Sequence, residues 1–122
     1  MNPAHILHLA LADEYRAQEQ APAYLPRQFA MDGFIHCTRE PEVLLRVANA
    51  VYRDVPGDFL VLVIDPAKVA AEVRFEPPTP PAPADSPLAG HLFPHIYGPL
   101  NCEAIVAVRS ARRGSDGSFL AV

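Results

Sequence analysis

Phe93-Pro94-His95-Ile96-Tyr97-Gly98-Pro99-Leu100 is the stretch on which the reading of this chain turns. Pro94 and Pro99 fix φ and remove two N–H donors, which excludes a helix interior. Phe93 precedes a proline and is held to extended backbone. In extended backbone, residues two apart share a side, so His95 and Tyr97 project together. Gly98 then allows a turn or a close backbone approach. The stretch therefore predicts a rigid platform bearing an imidazole and a phenol, a donor–acceptor pair with flat faces for stacking on a nucleobase or nicotinamide ring.

A second segment of the same character, Gly33-Phe34-Ile35-His36-Cys37-Thr38, lies upstream, and His8 sits in the apolar run that opens the chain. His36 and Thr38 share a strand face and offer two donors to a phosphate or ribose oxygen. The three histidines together predict a histidine-lined pocket. Each also has a plainer reading: His8 as a buried residue with one hydrogen bond, and His-x-Thr as a pair that recurs by chance. Cys37 points away from His36 across a strand and reads as a small buried hydrophobe rather than a nucleophile.

The rest of the chain is read around these segments. Ile6 to Leu11 reads as a buried strand and Asp13 to Gln20 as a short helix. Ala21 to Asp32 reads as a loop, and Phe34 to Cys37 as a strand. Pro41 suits a first helical position. Val43, Leu44, Val47 and Val51, flanked by Ala48 and Tyr52, recur at helical spacing and predict an amphipathic helix to about Asp54. Phe59 to Ile64 is unbroken apolar and predicts a central strand buried on both faces. Lys68 to Ala71 suggests one helical turn. Glu72 to Glu76 alternates as a half-exposed strand does. Pro77 to Pro87 holds six of the 14 prolines and predicts an extended loop, a lid over the His95 segment or a surface excursion. Ala104 to Val108 reads as a buried strand, Gly114 to Gly117 as a hairpin turn, and Ser118 to Val122 as a last strand. The order β-α-β-α-β-β-β-β favours α+β over a doubly wound sheet.

At 122 residues the chain is a single domain, 1–122, long enough for one core. Half of it is hydrophobic, 20% is charged and the net charge is −4, without a basic stripe. Extended nucleic acid is an unfavourable partner for such a surface. No apolar run reaches membrane-span length. Two cysteines and an N-terminus lacking a basic n-region point to the reducing cytoplasm. No glycine-rich phosphate loop, Cys-x-x-Cys pair, His-Glu-x-x-His helix or serine elbow is present.

On His5-Ile6-Leu7-His8-Leu9, Gly33 to Thr38 and Phe93 to Leu100, the chain resembles a bacterial family known as domain of unknown function 952, from His5 to about Val108. Arg74-Phe75-Glu76 also resembles that family's pattern. The resemblance implies an ADP-ribosyltransferase-like fold, a split β-sheet core that clamps NAD, here with two short helices in the N-terminal half. It would place His8 at the adenosine ribose, His36 and Thr38 on the nicotinamide side, and His95 and Tyr97 on a closing loop. His36 and His95 are then the catalytic candidates, with His8, Thr38, Arg74 and Tyr97 binding NAD. The implied chemistry is dissociative substitution at the nicotinamide ribose. Glu76 and Glu103 are the candidates for the glutamate such transferases use. Three other readings stand beside it: a nucleotide-binding module without turnover, a three-histidine metal site of His8, His36 and His95, and a hydrolase of cyclic phosphates.

Overall fold

The computed structural model describes residues 4–79, 81–86 and 88–122. Within them the fold is a mixed α/β arrangement of several antiparallel sheets and few helices. The first sheet joins β1 (Ile6–Leu11) and β8 (Ile105–Ser110) to a central β4 (Phe59–Ile64). A second sheet joins β3 (Ile35–His36) and β5 (Val73–Glu76) to a central β6 (Phe93–Ile96). Two-residue β2 (Ala23–Tyr24) pairs with β7 (Leu100–Asn101), and β9 (Arg112–Arg113) with β10 (Phe119–Ala121).

Proline chemistry sets the junction of the two main sheets. Pro94 accepts from the Cys37 N–H at 3.0 Å but has no N–H to return, so the β3–β6 ladder stops there. The chain then crosses over. Thr38 exchanges two 2.7 Å backbone bonds with Leu7 of β1 and ties the second sheet to the first.

Alternation along the strands fills two cores. Ile6, Ala10, Leu62 and Ile64 face Ile35, Cys37, Ile96, Leu100 and Tyr24 between the sheets. Leu7, Leu9, Phe59, Val61 and Val63 face the other way, against Leu44, Ala48 and Phe119. All six residues of β4 are buried, as an unbroken apolar run between two layers requires. The second layer is α3 (Pro41–Val47), with Pro41 in its first turn, continued by a π turn over Ala48–Tyr52. Arg113 locks the far end. Its guanidinium donates to the carbonyls of Tyr52, Arg53, Val55, Gly57 and Gly117 and lies 4.5 Å from the Phe119 ring.

Several expectations are revised. The first helix, α1, covers only Ala12–Arg16. The segment expected to be a loop from Ala21 to Asp32 contains β2 and α2 (Phe29–Asp32), so the first half holds three α-helical segments rather than two. Val51 was expected on the apolar stripe but is 58% exposed, because i→i+5 bonding in the π turn rotates it away from Val47. The single helical turn lies at Pro66–Lys68, ahead of its expected place, with Asp65 capping it through Ala67 N–H. β8 was expected to be buried, yet it is an edge strand with Val106 and Val108 exposed. Segment 77–92 has turns but no helix or strand among its described residues; Pro80 and Pro87 lie outside those residues, as do Met1, Asn2 and Pro3. The His95 segment is not a closing loop. It is the middle strand of a sheet, and His95 is buried.

Candidate functional site

The β3–β6–β5 sheet has two unlike faces. Ile35, Cys37 and Ile96 enter the core, with Val73 packed against them. By the same alternation Phe34, His36, His95, Tyr97, Arg74 and Glu76 share the opposite face. His36 lies directly opposite His95, and His95 directly opposite Arg74, so one row across three strands carries imidazole, imidazole and guanidinium.

The rings pack tightly. Phe34 stacks on His95 with centroids 4.0 Å apart and meets His36 at 4.6 Å and Tyr97 at 5.4 Å. His36 and His95 stand 5.6 Å apart, edge to face. Phe34 follows Gly33, whose φ of +79° ends α2 in the left-handed conformation that glycine adopts without strain. Gly98 answers a different need: a Cβ there would come within 2.8 Å of the Ala71 Cβ.

Each histidine is backed by a carboxylate. His95 Nδ1–H donates to Glu76 Oε1 at 2.8 Å, and the Tyr97 hydroxyl donates to the same oxygen. The Tyr97 hydroxyl, then His95, hold the Glu76 carboxyl below its ordinary range. Glu76 in turn pushes the Tyr97 phenol up. Burial pulls His95 below the usual imidazole value, against the opposing pull of Glu76. Burial thus favours the neutral ring, and a neutral His95 that donates from Nδ1 to Glu76 presents its lone pair on Nε2. His36 is half exposed and pairs through Nε2 with Asp32 Oδ2 at 2.6 Å, across the turn that leads from the end of α2 into β3. Arg74 lies 4.5 Å from the Tyr97 ring and pairs with Glu72 at 2.9 Å.

Two of the anticipated residues stand apart. His8 occupies the core side of β1, where its Nδ1–H donates to the His36 carbonyl at 2.7 Å and its Nε2 faces the Tyr24 hydroxyl at 3.5 Å. Burial lowers its pKa to about 4. It meets the site only through the His36 backbone carbonyl, so the three histidines do not converge as ligands. Among the described residues no group of three or more His, Cys, Asp or Glu is arranged to hold a metal ion. Thr38 is buried, and its backbone is committed to Leu7. The Cys37 thiol is enclosed, and burial pushes its pKa up. Of the two glutamates considered, Glu76 is in the site, whereas Glu103 accepts from Asn101 elsewhere.

Sequence reading missed Asp32, taken as part of a turn, and Phe34, taken as strand filler. The i,i+2 spacing of Phe34 and His36 on one strand was the available signal for Phe34; Asp32 reaches His36 only through the left-handed turn at Gly33, which no spacing rule announces.

No curated protein matches the chain. Among solved structures, the crystal structure of protein CC0527 from Caulobacter crescentus superposes with a TM-score of 0.73 at 20% identity, covering 94% of this chain and 92% of that one. The solution structure of the same protein gives 0.68 at 19% identity, over 93% and 90%. At that identity the likeness is one of fold. No helix among the described residues is long and apolar enough to cross a membrane. The family described as "Protein of unknown function (DUF952)" matches residues 9–108, and the chain belongs to that family.

Proposed function

We propose that the chain binds a nucleotide of the NAD or ADP-ribose class on the histidine face of β3–β6–β5 and processes it as an ADP-ribosyltransferase-like enzyme. One observation carries this reading: a single Glu76 oxygen accepts from both His95 Nδ1–H and the Tyr97 hydroxyl. Chemistry at a nicotinamide ribose needs a carboxylate to hold a ribose hydroxyl and stabilise the oxocarbenium-like centre. The Tyr97 hydroxyl already donates to this oxygen, which supports its use as an acceptor for a ribose hydroxyl. Phe34 and Tyr97 offer ring faces, and Arg74 a cation for the phosphates. The two free thiols suit a reducing cytoplasm.

Calorimetric titration with NAD, ADP-ribose and nicotinamide tests the reading. Saturable NAD binding, weakened at least about tenfold by Glu76→Gln, is expected. Absence of heat up to millimolar ligand would remove it. Binding without release of nicotinamide would leave a non-catalytic nucleotide module.

A further inference from the structure

We propose that the same face hydrolyses a ribonucleotide 2′,3′-cyclic phosphate, with His95 as the base and His36 as the acid. This shares with the reading above only the premise that a nucleotide occupies the face; the bond broken and the measurement are different.

The first support is placement. His36 and His95 are direct cross-strand partners with rings 5.6 Å apart, close enough for one substrate group to touch both. The second is the way each ring is held. Asp32 takes His36 Nε2 and Glu76 takes His95 Nδ1, leaving His36 Nδ1 and His95 Nε2 without a protein partner among the described residues. No described side-chain nitrogen or oxygen is both enclosed and unpartnered, so neither free nitrogen is sealed off, although the His95 ring as a whole is only 2% exposed. The third is asymmetry. Burial favours the neutral form of His95, whose Nδ1–H on Glu76 leaves Nε2 to present a lone pair. His36, half exposed and held by the Asp32 carboxylate, sits beside it at the edge of the row and is the ring assigned to deliver a proton. A base and an acid set apart by their surroundings are what proton-coupled displacement requires.

The substrate class follows from the step these groups can perform. Water gives a proton to His95 Nε2 as its oxygen bonds to phosphorus. The phosphorus–ribose oxygen bond breaks, and His36 Nδ1–H protonates the departing ribose oxygen. The product is a nucleoside monophosphate with a free neighbouring hydroxyl. Proton transfer from His95 back to His36 through solvent restores the starting state. An alkoxide of this kind leaves poorly unless protonated, so an acid beside the base has a direct use. Arg74, opposite His95 in register, supplies positive charge for the non-bridging oxygens. Phe34 covers one side of both rings and limits water there.

The experiment incubates the purified full chain with adenosine 2′,3′-cyclic monophosphate and a chelator and follows the monophosphate by phosphorus NMR. Turnover with a bell-shaped pH profile is expected, falling about 100-fold or more in His36→Ala. His36 is half exposed, so that variant is expected to fold, and circular dichroism checks that it does. No product above the buffer rate, or equal rates in His36→Ala and the parent, would overturn the proposal. NAD titration of the same preparation separates the two readings, since NAD binding without hydrolysis sinks only this one and hydrolysis without NAD binding sinks only the other.

Discussion

His8 and His95 are both buried, at 7% and 2% exposure, on central positions of strands, yet they are held in opposite ways. His8 donates to a backbone carbonyl and faces a tyrosine hydroxyl, both neutral groups inside the core. His95 donates to a carboxylate that reaches solvent, and its second nitrogen stays free. Burial lowers the proton affinity of both. Only at His95 does a charge partly offset that, and only there is a nitrogen left for a ligand. The partner of a buried histidine, more than its burial, separates a structural role from a chemical one.

The comparison is broken most directly at His8. His8→Ala removes the Nδ1–H bond that fixes the His36 carbonyl and leaves a void against Tyr24. The expected loss is about 3 kcal/mol in urea unfolding. A loss below about 1 kcal/mol would show that His8 does not brace the junction of the two sheets.

Acid should act on the same residue with nearly equal effect. In the unfolded chain His8 takes up a proton near pH 6.5, and in the fold only near pH 4. Stability therefore falls as pH drops between these values, by about 3 kcal/mol, and this group adds no further loss below pH 4. His95 is shifted the same way and steepens the slope. Glu72, Glu76 and Asp116 are held low and lose their contributions only as pH falls through the carboxylate range. Urea midpoints from pH 7 to pH 4 measure this. His8→Gln should flatten most of the slope, and an unchanged slope would assign the acid sensitivity elsewhere.

Much of this contrast was legible in the sequence, though not all. The flanking prolines made Phe93 to Leu100 extended, and the i,i+2 rule put His95 and Tyr97 on one side. The apolar run from Phe59 to Ile64 announced its own double burial. Strand order was not legible, because the partners of β6 lie 19 and 59 residues upstream in the Arg74–Glu76 and His36 regions. Without it, His95 and Tyr97 were assigned to a closing loop. A histidine 2% exposed in a central strand instead makes His95→Ala a measurable destabilisation beside any loss of binding. Glu76 could be named from sequence but not placed, since alternation along β5 fixes its face only once β5 is known to lie beside β6.

The smallest expected effect tests the other half of the comparison, the charge behind His95. Tyr97→Phe deletes one of two donors to Glu76 Oε1 and leaves the ring, with Arg74 still against it. Because Tyr97 is partly exposed, the stability change should stay within about 1 kcal/mol. With the hydroxyl gone, Glu76 loses the bond that most strongly stabilises its ionised form, and its carboxyl pKa rises. The same oxygen becomes the undivided acceptor for His95 Nδ1–H, so the His95 pKa should move upward from its burial-lowered position. Proton NMR titration of the imidazole resonances reads this directly, with His8 as the internal control. An upward shift at His95 with His8 unmoved shows that the carboxylate tunes one histidine and not the other. If the two move together, or neither moves, the two histidines belong to a single buried environment and the distinction drawn from their partners fails.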